Sequence, residues 1–318
     1  MSCTYVYTKG KNEGKACGKK TAPGKTRCLT CVSKGDGGVA KEKADKKQEK
    51  TPSHKTPADL RAEKHSDDVK LHKLSVKTAQ KENEKEGKRG SVCTARLVHR
   101  FDKTGVDKKW PLRPGYMNVN ITSGCKHWRG LSPMHLGPIR FFVDSGSGQE
   151  DVVFKRATCL ENAWQFLKVW PGESCIALVD SACGKGEVDG KKVEVPNEEW
   201  FERRDAGFAD PKPHRRVKLG KGVNSNAPEY SYYLGERLSY GEARKRIYCP
   251  LYEKYVVKTD AFEELNGLLD SGYNIQLLEY DARPCEDMKK EMEDVSKPFG
   301  HGLVLRCILE DLPRPWKD

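Results

Sequence analysis

Apolar and polar positions alternate along this chain in short, mixed runs. ARLVHRF (95–101), IRFFV (139–143) and DVVFKRA (151–157) carry the period-two, β-branched pattern of strands. LENAWQFLKVW (160–170) follows a helical period and is apolar over most of its circumference, leaving Glu161, Gln165 and Lys168 as one narrow polar stripe. KGEVDGKKVEV carries an Asp189-Gly190 turn signal between β-prone runs. PNEEWFERRDAGF reads as a helix capped by Asn197 and stopped at Gly207, and Ser239 with Glu242 forms a capping box for YGEARKRIY. DAFEELNGLLDSG predicts a helix ended by Gly272, followed by a strand in YNIQLLEYD. EDMKKEMEDV and GLVLRCILEDL predict the last two helices. Helices outnumber strands but the two are interspersed, so the fold class expected is α+β.

Composition divides the chain into three. Residues 35–90 lack aromatics and are dominated by Lys and Glu, the composition of a disordered charged linker. All six Trp lie beyond it, so 91–318 is expected to form the one sizeable globular domain. No stretch of about 18 apolar residues exists, and the N-terminus lacks the apolar core of a secretory signal. The expectation is an intracellular protein, not secreted and with no membrane partner, in a compartment that keeps its twelve Cys reduced. The net charge of +12 favours polyanionic partners, although excess Lys also serves merely to solvate a tail.

Residues 1–34 bring Cys3, Cys17, Cys28 and Cys31 into one segment with no apolar core of its own. The Cys28-x-x-Cys31 chelating pair plus two further Cys makes a tetrahedral thiolate set, so a structural Zn2+ is expected to supply the folding energy. The segment resembles a short Cys-rich zinc motif of large DNA viruses, matching it at Tyr5, Val6, Tyr7, Gly10, Gly14, Cys17 and Gly18. Its Lys residues point to nucleic acid or protein contact through this basic N-terminal region.

Candidate chemistry gathers around the polar stripe. Upstream, a Gly- and Pro-rich loop holds Trp128, Arg129 and Ser132. Downstream, Arg215, Arg216, Lys218 and Lys221 flank Gly220 and Gly222, a pairing of cations and close-approach backbone suited to phosphates and equally to a solvated loop. Asp281 in YDARP and His301 in FGHGLVL complete the set. The stripe itself has two readings: a binding site, or a structural chain in which Gln165 links Glu161 to Lys168.

Leu131, Ser132, Glu161, Trp164, Gln165 and Lys168 match the L-S-N/P and E-H/N-x-F/W-Q-x-x-K signature of the NADAR (YbiA-like) N-glycosidase family, which the chain resembles. Residues 125–310 resemble, more closely, uncharacterised proteins of large DNA viruses, phages and microbial eukaryotes, through HWRGLSP, ENAWQ, ARKRIYCPLY and GHGLVL. A W-G-x-G segment typical of NADAR proteins has no clear counterpart here. The first resemblance implies a NADAR-like domain that cleaves an N-glycosidic bond in a ribosylated or ADP-ribosylated base or nucleotide, with Glu161 as the catalytic carboxylate. In that reading Gln165 meets a ribose hydroxyl or base edge, Lys168 reaches a phosphate, and Trp128 or Trp164 stacks on the base. The competing expectation is a non-enzymatic, zinc-bearing nucleic-acid-binding viral protein.

Overall fold

A computed structural model describes residues 57–97, 113–145, 152–179, 191–214 and 228–317. All of them belong to the second of two units, Thr56–Asp318. The zinc expectation at Cys3, Cys17, Cys28 and Cys31 and the Asp189-Gly190 turn lie outside the described residues.

In chain order the unit runs α1 (Pro57–Lys85), β1 (Val92–Arg96), β2 (Tyr116–Asn120), β3 (Ile139–Asp144), β4 (Val152–Ala157), α2 (Leu160–Phe166), β5 (Lys168–Val169), β6 (Ser174–Val179), β7 (Lys191–Pro196) and α3 (Glu198–Ala209). It continues with β8 (Tyr230–Tyr233), β9 (Glu236–Leu238), α4 (Tyr240–Ala243), a π-helical stretch (Arg244–Tyr248), α5 (Cys249–Val256), α6 (Asp260–Asp270), β10 (Asn274–Glu279), α7 (Met288–Glu293) and α8 (His301–Leu309). The fold is mixed α+β, with several small sheets instead of one large one. β10 lies between β1 and β2, parallel to both, with Val92 beside Ile275 and Asn274 beside Tyr116. Because both edges of β10 are paired, its residues 275–279 are all buried, and this central strand carries Glu279 into the interior. β3 and β4 form an antiparallel pair, as do β6 and β7, while β8 joins β5 to β9.

One large apolar core packs α2, α5, α6 and α8 against β3 and β10 through Leu160, Ala163, Tyr252, Leu265, Ile139, Leu277 and Leu303, all fully enclosed. A satellite cluster of Val169, Trp200, Tyr230 and Tyr232 lies under β5 and β8. Side-chain caps mark the starts of α3, α4, α6 and α7. Asn197 accepts from the Trp200 N–H at 3.0 Å, Ser239 and Glu242 cap reciprocally, and α6 gives way to a Gly272 at φ 83°. Pro250 removes one helical N–H and its ring crowds the preceding turn, a misfit that the wider π-helical stretch before it accommodates.

Three sequence expectations change. Residues 57–85, read as part of a disordered linker, form α1. Its order comes from tertiary contacts that composition does not reveal: Val76 is buried, Ser75 Oγ accepts from the Gly115 N–H, and Asn83 Nδ2 donates to the Gly272 carbonyl at 2.8 Å. The helix expected over 160–170 ends at Phe166, because Lys168 and Val169 pair with Ser231 and Tyr230 as a strand. Gly207 does not stop its helix; it lies inside α3 because the Phe166 ring fills the space where a Cβ would stand, 2.1 Å from that ring. Among the described residues no helix is long and apolar enough to cross a membrane.

Candidate functional site

α2 presents its polar stripe to a cleft of about 490 Å³ lined by residues of four segments of the chain: 122–134, α2 with Lys168, the start of the 240–256 rod, and 279–301. Gln165 Nε2 donates to Glu161 Oε1 at 2.7 Å, and Lys168 Nζ donates to Gln165 Oε1 at 2.9 Å. The stripe is therefore a hydrogen-bonded chain and a cleft wall at once. Lys168 no longer belongs to the helix, and its position is fixed through its backbone: the indole N–H of Trp200 and the guanidinium of Arg203 both donate to its carbonyl, each at 2.9 Å. Arg203 is in turn clamped by both oxygens of Glu173.

Burial lowers the Lys168 ammonium to about 8, against the opposing pull of Glu161. Its Nζ stands 4.7 Å from the centre of the Trp164 ring, and that indole packs on Tyr248 at 5.3 Å and lies 6.0 Å from Tyr240. Burial, then the charges of Glu161 and Glu279, raise the Tyr248 phenol well above its usual value, so it stays protonated. Arg244 is fully enclosed, and its guanidinium donates to the carbonyls of Met292 and Lys297. These side chains make one wall cationic and aromatic.

The cleft lining also includes a pair that sequence reasoning half missed. His301, at the first turn of α8, donates through Nε2 to the Ile121 carbonyl at 3.1 Å and meets Glu279 Oε2 through Nδ1 at 2.5 Å. Burial would depress this imidazole, but the charge and hydrogen bond of Glu279, with the Ile121 carbonyl, raise it above its usual range. Glu279 Oε2 also accepts from the Gly302 N–H at 3.0 Å, whereas Oε1 has no partner among the described residues. Any larger residue at position 300 would displace the Glu279 carboxylate, since a Cβ there would fall 1.6 Å from Glu279 Oε1. At the rim, desolvation and repulsion from Glu279 raise the Asp281 carboxyl.

Seven of the candidate residues thus meet in one cleft: Ser132, Glu161, Trp164, Gln165, Lys168, Asp281 and His301. Trp128 and Arg129 do not join them. Trp128 is buried in the core edge-on to His127, and Arg129 lies with Lys126, His127 and His135 in a separate, shallow depression beside the start of α6. Their nearness to Ser132 in sequence fails to carry over because a single 3-10 turn, Arg129–Leu131, sends Leu131 into the core and leaves Arg129 on another surface. Arg215, Arg216 and Lys221 lie outside the described residues, but the segment leading to them is anchored. Asn162, fully buried, donates to the Asp210 and Lys212 carbonyls and accepts from the His214 N–H. Glu279, Tyr240, Arg244 and Tyr248 were not foreseen. The apolar run IQLLE marks Glu279 as a carboxylate at the end of a buried strand, which is the one signal that could have found it.

Among the described residues no group of His, Cys, Asp and Glu is arranged to hold a metal ion, and Cys93, Cys159, Cys249, Cys285 and Cys307 are buried free thiols. A scan of family models finds no match to the chain, and comparisons with curated proteins and with solved structures find none either. The likeness to NADAR proteins rests on the motif residues alone.

Proposed function

We propose that the chain is an N-glycosidase acting on a ribosylated or ADP-ribosylated base or nucleotide, with Glu161 as its catalytic carboxylate. One observation supports this reading above others: Glu161, Gln165 and Lys168 form a single hydrogen-bonded chain along the lining of a cleft of substrate size, which the buried Glu279 carboxylate also lines. Cleavage breaks the bond between the anomeric carbon and the base nitrogen. The bonding pair leaves with the base, and positive charge builds on the ribose. Glu161 stabilises that charge and takes a proton from the attacking water, whose oxygen bonds to the anomeric carbon; the proton then passes to the departing base nitrogen, which restores the carboxylate. The protonated Lys168 ammonium meets a substrate phosphate, and the aromatic wall of Trp164 and Tyr240 flanks the base.

The test is mass spectrometry of ADP-ribosylated guanosine and of a nucleotide mixture incubated with the wild-type chain and with Glu161→Gln. Glutamine keeps the size and the hydrogen bond to Gln165 but removes the negative charge, so the rate is expected to fall about 100-fold or more with binding largely kept. Release of guanosine from the ADP-ribosylated substrate, or of free base from the nucleotides, at the same rate by both proteins would refute the assignment of Glu161. No release from any substrate by wild-type protein would refute the activity itself.

A further inference from the structure

The β3–β4 hairpin turns one face inward and leaves the other unaccounted for. Ile139, Phe141 and Val143 are buried, so the alternate residues point away from the core. On that outer face Arg140 stands directly opposite Arg156, and Phe142 directly opposite Phe154. Phe142 is 56% exposed and Phe154 57%, with ring centroids 5.3 Å apart, and both arginines are exposed. Nothing among the described residues forms an ion pair with either guanidinium.

In the free protein this face is unfavourable twice over. Two large aromatic rings contact water side by side, and two like charges oppose each other across the strands without a counter-charge among the described residues. Both costs are relieved by one kind of partner. A flat π-surface with its edges in water covers an exposed ring, and an anion one pair of residues along, about 7 Å away, neutralises the arginines. Single-stranded nucleic acid offers both at this spacing, because its bases are free to unstack onto aromatic rings while the flanking phosphates remain negative. A duplex does not, since the faces of its bases are already covered. The net charge of +12 favours the same partner.

We infer that the outer face of the β3–β4 hairpin binds single-stranded nucleic acid, with Phe142 and Phe154 stacking on bases and Arg140 and Arg156 holding phosphate. No residue of this surface lines the cleft, so the inference stands whether or not the cleft is a glycosidase site.

Fluorescence anisotropy of the full chain with a labelled oligothymidylate, over a range of salt concentrations, provides the test. The four residues are exposed, so Phe142→Ala/Phe154→Ala and Arg140→Gln/Arg156→Gln keep the fold, which circular dichroism checks. The Phe pair is expected to weaken binding at least tenfold. The Arg pair is expected to make the log-log salt slope shallower by about 1.4. A 5-iodouracil-substituted oligonucleotide is expected to photocrosslink to peptides carrying Phe142 or Phe154. Variants that bind like wild type, crosslinks confined to other segments, or equal affinity for a duplex of the same length would each overturn the proposal. Variants that leave oligonucleotide binding intact but convert a dimer to a monomer would overturn it too, and assign the face to a second copy of the chain.

Discussion

Lys168 offers the most direct physical check on the cleft. An ordinary lysine, titrating at 10.5, is about 0.03% neutral at pH 7, whereas one held at about 8 is about 9% neutral, a ratio near 300. The lowering comes from burial, which disfavours the ammonium, and Glu161 limits it by favouring the ammonium. Glu161→Gln is therefore expected to push the Lys168 midpoint below that of the wild type. Trace labelling with acetic anhydride from pH 6 to 11, followed by peptide mass spectrometry, gives the midpoint for each lysine separately from its accessibility. The shift also has a stability sign. Above pH 10.5 the group is neutral in both states and the folded protein bears no cost. As pH falls from 10.5 toward 8 the unfolded chain takes up the proton first, so stability declines, by no more than about 3.4 kcal/mol in all. A Lys168 midpoint indistinguishable from those of surface lysines would refute the enclosed, partly desolvated cleft. So would an upward shift in Glu161→Gln.

Asn162→Ala is expected to destabilise the unit by about 1 to 2 kcal/mol, since it removes a fully buried side chain that ties α2 to the part-buried Asp210 and Lys212 carbonyls and the His214 N–H; no measurable loss in urea unfolding would contradict that role. His301 is raised above its unfolded value of 6.5, so its contribution is fully present below pH 6.5 and is lost as pH rises through the folded value. Wild-type urea midpoints should fall between pH 6 and 8 more than those of His301→Gln, and parallel curves would refute the Glu279 pairing. The full chain is expected to carry about one equivalent of zinc, lost in Cys28→Ser/Cys31→Ser, as elemental analysis would show.

What the sequence made legible was local. The Asn197 cap, the Ser239–Glu242 box and the Gly272 stop depend on residues within one turn of each other, so pattern alone located them. The Glu161–Gln165–Lys168 stripe was legible as a period, although strand pairing by Val169 then took Lys168 out of the helix. The rest required knowing which distant segments meet. Glu279 and His301 share a hydrogen bond only because the central parallel strand ends where α8 begins. Arg129 and Ser132, three residues apart, part company at a single turn. α1 escaped notice because its attachment uses Ser75, Gln80 and Asn83, polar side chains that in a Lys- and Glu-rich segment look like solvent-facing ones.

That attachment redefines where the unit begins. A fragment started at Ser91, where the composition changes, would discard the groups that satisfy the Gly115 N–H and the Ser271 and Gly272 carbonyls, and would strip Val76 from its packing. Those three backbone positions lie beside β2 and β10, on the strand bundle that holds Glu279 at the cleft. A segment that composition marks as dispensable thus acts as a brace. For anyone cutting this protein into pieces, the safe boundary falls ahead of Pro57, and a protease nick within 66–85 becomes a way to loosen the cleft from a distance.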